Sequence, residues 1–375
     1  MCLKSGLLAE SSWAIDVLSI LLNDETTCMY FGLQHTPGLL EVVLEHFKCC
    51  LNVIFKELAI KETTLKPELS KPVNYSHWQE GNGEDTSHIQ VCFEPDNFIE
   101  TSRRCMCLST ILRNLSFIPG NDVEMSKHAG LLLVLGRILM HKPDNIILNE
   151  FDSAPNEWHL LNSLREDTLV MISNISSSLD LSPYNDKINL TMLRGLLHWA
   201  CCSTNYALDP FPPPSMTVSP QRLALESLAK LSIIEGNVDL ILATPPWSRI
   251  EKLFEILADF LNVNEDQAIR EFSLVLLSNL TAADSGIARK VALTNRVIPR
   301  LVSFLETSTA DPETTTQDML RRAGLTLKSL SQIVDNHGLF ASCQQRLLNL
   351  VMSQRLDQEV MPILADVIFE ISLSY

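Results

Sequence analysis

Ten cysteines and nine histidines are the residues of this chain with the most chemistry to offer, and their spacing decides what they can do. The cysteines cluster as Cys49-Cys50, Cys105-Met106-Cys107 and Cys201-Cys202, and no Cys-x-x-Cys occurs. Two clusters share a form, His46-Phe47-Lys48-Cys49-Cys50 and His198-Trp199-Ala200-Cys201-Cys202. A zinc site needs ligands that converge tetrahedrally, whereas neighbours on a helix point about 100° apart. Buried structural thiols are therefore expected, with no metal. Ser126-Lys127-His128 offers a nucleophile and bases, but adjacent helical side chains do not face one another. The chain has no Gly-x-Ser-x-Gly, no phosphate-binding Gly-x-x-x-x-Gly-Lys, no Gly-x-Gly-x-x-Gly after a strand and no His-Glu-x-x-His. The expectation is a chain that is not an enzyme and has no cofactor.

The remaining candidates concern binding. Leu18-Ser19-Ile20-Leu21-Leu22 and Leu193-Arg194-Gly195-Leu196-Leu197 match Leu-x-x-Leu-Leu, which can dock an amphipathic helix into an apolar receptor groove. The same spacing marks any core-facing helix, and that reading is favoured. In Thr244-Pro245-Pro246-Trp247-Ser248-Arg249, two prolines precede a tryptophan with arginine nearby, making Trp247 and Arg249 contact candidates, set against a tryptophan wedged between repeats. Ser182-Pro183 and Ser219-Pro220 read as helix starts, capping residue then proline, and are also potential proline-directed phosphorylation sites. Between Thr63 and Asn97, Ser76-His77-Trp78-Gln79 and His88-Ile89-Gln90-Val91-Cys92-Phe93-Glu94 flank a Gly/Asn-rich turn, as two short alternating strands would. A lone hairpin is marginal in water. His77, Trp78, His88, Ile89 and Phe93 are accordingly expected to pack on the rest of the chain or on a partner.

Charge narrows the partners. Forty-five acidic residues against 29 basic leave a net charge of −16, and the doublets Arg103-Arg104 and Arg321-Arg322 stand alone. Phosphate-tracking surfaces need clustered Lys and Arg, so direct DNA binding is not expected. No apolar run is long enough to span a bilayer and no signal peptide leads the chain, which points to an intracellular protein with no membrane partner. Glycosylation is accordingly not expected at the sequons of Asn74, Asn114, Asn174, Asn189 and Asn279.

What must position these residues is a repeat. Leu112-Arg113-Asn114-Leu115-Ser116, Ile172-Ser173-Asn174-Ile175-Ser176, Leu228-Ala229-Lys230-Leu231-Ser232, Leu277-Ser278-Asn279-Leu280-Thr281 and Leu327-Lys328-Ser329-Leu330-Ser331 are one phrase: apolar, two tolerant positions, apolar, small hydroxyl. Each closes a helical stretch before a polar turn. Their fourth residues lie 60, 56, 49 and 50 residues apart, against about 40–47 for armadillo and HEAT units. The first two steps carry insertions, visible at Asp144 to Glu157 and in the Pro-rich stretch Ala207 to Ser219. A further unit is legible at the start, where Trp13, Ala14, Val17, Leu18, Leu21 and Leu22 share a helical face, Asn23 to Thr26 turns, and Pro37-Gly38 precedes a helix from Leu39 to about Ile60. The repeat residues Asn114, Asn174 and Asn279 are expected at helix ends as caps.

One such unit cannot bury its apolar face alone, so neighbours must stack. The fold class is all-α, an armadillo/HEAT-like α-solenoid of about six repeats with a short non-helical insertion, and a hairpin is one form that insertion could take. Residues 1–62 form the first repeat, 63–98 the insertion and 99–375 the remaining repeats with a Pro-rich loop at 207–219, in one continuous solenoid. A peptide or cargo adaptor would show a regular ladder of groove-facing Asn and Trp. Here Lys230 and Ser329 replace the asparagine, and the five tryptophans do not recur at one repeat position.

Longer strings carry a family resemblance. Pro37-Gly38-Leu39-Leu40-Glu41, Asp85-Thr86-Ser87-His88-Ile89-Gln90, Leu115-Ser116-Phe117-Ile118-Pro119-Gly120-Asn121-Asp122, Glu124-Met125-Ser126-Lys127-His128-Ala129-Gly130, Gly195-Leu196-Leu197-His198-Trp199-Ala200 and Asn237-Val238-Asp239-Leu240-Ile241-Leu242-Ala243-Thr244-Pro245-Pro246 together resemble the C-terminal region of Osa-type, AT-rich-interaction-domain subunits of SWI/SNF (BAF, Brahma) chromatin-remodelling complexes. The resemblance implies an armadillo-like core-binding region in the nucleus that docks its subunit onto the shared scaffold subunits and the remodeller ATPase, in regulation of RNA polymerase II transcription. It implies a DNA-binding domain far upstream in a longer polypeptide, and family Leu-x-x-Leu-Leu motifs linked to nuclear receptors. A ubiquitin-ligase adaptor role, proposed for the same family region, is the alternative beside the cargo adaptor.

Overall fold

The computed structural model describes residues 2–5, 7–55, 98–141, 155–208, 218–262, 264–294, 296–310, 316–353, 356 and 358–373. The described residues are helical or in turns, with no strand among them. The expected hairpin, with His77, Trp78, His88, Ile89 and Phe93, lies outside them. They group into two compact units, residues 1–121 with 143–167, and residues 122–142 with 168–375.

In the first unit, α1 (Leu8–Asn23) and α2 (Leu39–Ile54) pack on α3 (Phe98–Ser116), whose C-terminal turn carries the first repeated string. The chain enters α2 through Gly38, at φ 79°, a left-handed conformation that glycine adopts without a Cβ clash. The α2 helix ends at Ile54. The face of α1 differs from expectation. Ser11, Ile15, Leu18 and Leu22 are buried, while Trp13 is 62% and Ile20 68% exposed. This helix is apolar nearly all round, so its sequence could not say which stripe faces inward; α3 selects the one with the small Ser11, which receives Arg104.

The second unit is built of helix triplets, each closing on a helix that ends at or near the string; most run short, longer, long, whereas in the second a long helix comes first and a four-residue one follows. It begins with α4 (Asn121–Ser126), α5 (Ala129–Met140) and the end of α6 (Pro155–Ile175). Next come α7 (Asp186–Cys201), α8 (Asn205–Leu208) and α9 (Pro220–Leu231), then α10 (Glu235–Ala243), α11 (Trp247–Phe260) and α12 (Gln267–Ala283), then α13 (Ser285–Leu293), α14 (Val297–Ala310) and α15 (Gln317–Ser331). It closes with α16 (His337–Phe340), α17 (Gln344–Met352) and α18 (Val360–Ser372). String-bearing helices stack on one another, α9 on α12, α12 on α15 and α15 on α18, while α5, α7 and α11 form a second layer. That stacking makes the unit an α-solenoid of armadillo-like repeats. Ile368-Phe369-Glu370-Ile371-Ser372 in α18 is a sixth instance of the string that the sequence reading passed over.

Local sequence sets the helix starts. Asp266, Asp284, Thr316 and Ser219 each accept a backbone N–H in the first turn of α12, α13, α15 and α9, and Pro220 follows Ser219 at the first helical position, as expected. Ser182-Pro183 does not start a helix. It sits in a turn, and α7 begins one step later behind Asn185, whose side chain accepts from Ile188 N at 3.2 Å. His128, offered above as a base, caps α5 through Nδ1, which accepts from Leu131 N at 3.1 Å.

Candidate protein-docking surface

The repeat asparagines hold repeats together. Asn114 donates to Asn23 Oδ1 at 2.8 Å and Asn279 to Ser232 Oγ at 2.9 Å, each reaching back to the helix end before it. Lys230, which replaces the asparagine, does the same with the Ser173 carbonyl at 2.9 Å. They were expected to cap helix ends; Asn114, in the last turn of α3, instead donates to the side chain that ends α1, and Asn279, four residues before the end of α12, donates to the hydroxyl that follows α9.

The structure adds a second asparagine that the sequence reading missed. Asn121, Asn237 and Asn336 each follow the fourth string residue by six positions, and all are buried. Asn237 donates to Leu231 O at 3.0 Å and Leu179 O at 2.8 Å and accepts from Leu181 N at 2.8 Å. Asn121 makes the same three bonds with Leu115 O, Phe31 O and Leu33 N in the first unit. Asn336 donates to Leu330 O and accepts from Arg289. The constant offset was the available signal.

Trp247 and Arg249 sit at the start of α11, beside the end of α7. Trp247 is 39% exposed, packs edge-on against Phe254, and donates from Nε1 to Glu251 Oε1 at 2.9 Å. Arg249 is half-buried and donates to Arg194 O, while Arg194 Nε donates to Pro245 O at 3.2 Å, so two bonds tie the start of α11 to the middle of α7. A shallow pocket of about 350 Å³ opens between them, lined by His198, Cys202, Thr204, Ser248, Arg249 and Lys252 among others. Cys201 at its floor is buried, and burial pushes its thiol up to about 12, so it is a packed apolar group at neutral pH. The carbonyls of Ala200 and Cys202 at the end of α7 accept from Gln221 Nε2 of α9.

The Leu-x-x-Leu-Leu motifs are core. Leu193, Leu196 and Leu197 are at most 1% exposed, and Leu18 and Leu22 are 7% and 5% exposed, with Leu21 of the same motif half-buried. The folded chain therefore presents neither leucine triplet to a receptor groove. Among the described residues no group of three His, Cys, Asp or Glu could hold a metal ion, and no helix is long and apolar enough to cross a membrane. Burial likewise raises the Cys105 thiol well above its ordinary value, and that of Cys50 to about 12.

Repeats tied by buried asparagines, with exposed aromatic and basic residues at helix starts, define a helical-repeat chain of the armadillo type. Residues 100–326 match the family described as SWI/SNF-like complex subunit BAF250/Osa. The chain is 42% identical over 311 residues to the trithorax group protein osa of Drosophila melanogaster, across 72% of this chain and 12% of that protein. It belongs to the BAF250/Osa family. It is also 23% identical over 259 residues to the armadillo repeat-containing protein LFR of Arabidopsis thaliana, across 68% of this chain and 49% of that one. The chain thus spans less than half the length of either relative. Among solved structures, a designed armadillo repeat protein is similar at 13% identity and a TM-score of 0.43, covering 71% of this chain and 93% of the design.

Proposed function

We propose that this chain is a non-catalytic docking module of a SWI/SNF chromatin-remodelling complex subunit. It carries the subunit onto the shared core scaffold subunits and the remodeller ATPase, in the nucleus, in regulation of transcription by RNA polymerase II. The observation that carries this reading is the family match over residues 100–326 together with the 42% identity to osa. Repeat architecture suits the task, since several weak contacts on one framework add through effective concentration. Trp247 and Arg249, which are accessible, are proposed contact residues. His77, Trp78, His88, Ile89 and Phe93 are proposed contacts from the 63–98 insertion. The cargo-adaptor reading gains nothing from the geometry, because Asn114 and Asn279 already spend their amides on neighbouring repeats.

The test is an affinity pull-down of tagged 1–375 from nuclear extract, washed at moderate salt, with mass spectrometry of what remains. Recovery of the remodeller ATPase and its scaffold subunits is expected. Recovery of transport or ubiquitin-ligase components alone would overturn the reading.

A further inference from the structure

The pocket between α7 and α11 is basic in an acidic chain. Arg249 and Lys252, three positions apart on α11 and so on one helix face, line it with His198, and no carboxylate lines it. The net charge of the chain is −16. Lys252 is exposed and makes no salt bridge among the described residues, and Glu251 beside it is engaged by Trp247 Nε1 and by Lys290 at 3.4 Å. The start of α11 has no side-chain cap, so its positive end adds to the same side. At the end of α7, whose Cys201 and Cys202 line the pocket, Gln221 takes up the Ala200 and Cys202 carbonyls, which would repel an anion. The exposed indole of Trp247 adjoins this cluster in sequence and offers an apolar face.

We infer that this pocket captures an acidic, aromatic-containing or leucine-containing segment of a partner protein. A carboxylate seats between Arg249 and Lys252, and a neighbouring apolar side chain lies on Trp247. The inference rests on the reading of the chain as a docking module. The pocket is shallow and open, which suits a side chain on an extended segment better than an enclosed small molecule. Long-range electrostatics work against any acidic ligand here, so one that binds is held by local contacts with these cations.

The test uses the whole 1–375 chain and a fluorescein-labelled peptide of glutamates around one leucine and one phenylalanine, read by anisotropy. Saturable binding is expected, weakened about tenfold or more by Lys252→Glu and further by adding Arg249→Glu. Lys252 holds no other element, so its variant keeps the fold, checked by circular dichroism and melting. Arg321→Glu, at an exposed arginine on α15, should leave binding within about twofold of the parent. Absence of saturable binding, equal loss with Arg321→Glu, or binding only of a phosphoserine version of the peptide would overturn the inference. Wild-type chain that recovers remodeller subunits from nuclear extract while ignoring the peptide would remove this pocket and leave the docking function standing. Peptide binding without such recovery would do the reverse.

Discussion

At the residue scale, the two kinds of repeat asparagine have exchanged the importance their sequence suggests. The visible one, in the string, is half-exposed and makes a single side-chain bond at Asn279. The inconspicuous one, Asn237, is fully buried and closes two turns with three bonds. Each net hydrogen bond is worth about 1 kcal/mol, and buried groups left unpaired cost about 1–3 kcal/mol more. Asn237→Ala should therefore lose about 3 kcal/mol or more in urea denaturation, and Asn279→Ala about 1 kcal/mol or less. Equal losses would deny the buried residue its role. His46 gives the chain a pH response. Its Nε2 lies 2.8 Å from Leu3 O, which can only accept, and its Nδ1 lies 3.4 Å from Arg104 Nη2, which can only donate. The ring must be neutral, and burial followed by the Arg104 charge lowers its pKa against the Leu3 bond. A depressed histidine gives stability that is full above the ordinary value of about 6.5 and is lost as pH falls below it toward the folded-state value. The melting temperature of the chain should drop over that window. His46→Gln, which keeps a donor and an acceptor without titrating, should flatten the drop.

At the element scale, the sequence made the repeat and most helix starts legible because both are local: string spacing, Ser219-Pro220, and the breaker Pro37-Gly38 need no tertiary information. What it hid was set by neighbours. The inward stripe of α1 depended on α3, the start of α7 on which of two capping residues the packing chose, and the α7–α11 pocket on residues about 50 positions apart. The close crossing of α5 and α7 was equally hidden. A Cβ on Gly136 of α5 would lie 2.7 Å from Thr191 Oγ1 and 3.0 Å from Met192 N, and one on Gly195 of α7 would lie 2.8 Å from Leu139 Cβ. Glycine inside a helix ordinarily costs about 1 kcal/mol relative to alanine, so these two are retained for contact. Gly136→Ala and Gly195→Ala should each destabilise the chain by about 1–3 kcal/mol through overpacking. Gly338→Ala, where nothing lies within 4 Å, should be neutral or stabilising by up to about 1 kcal/mol. A common sign for all three would exclude close packing as the reason.

At the scale of the molecule, a stack of repeats has no single centre whose loss unfolds everything, and each string helix is supported chiefly by the ones before and after it. The α15 helix makes the point: Ala323, Leu327 and Leu330 are fully buried, with α12 on one side and α18 on the other. Removing residues 347–375 takes away α18 and most of α17, leaving one side of α15 in water. The Lys328–Asp366 pair lost with it, at 2.7 Å, is exposed and contributes little. The loss is apolar burial, about 1.5–3 kcal/mol for each large side chain uncovered. Because the deficit falls on one end, the truncated chain should melt lower and over a broader range, its last repeats fraying before the rest. A point change in α18, Leu364→Ala at a fully buried site, should cost about 2–5 kcal/mol while keeping α18 in place, and its transition should stay sharper than that of the truncation. If docking needs a framework that holds several weak contacts at fixed spacing, partner recovery should fall with the truncation more than with the point change. A truncated chain that melts as sharply as the parent and recovers the same partners would mean that the terminal repeat neither supports its neighbour nor takes part in docking.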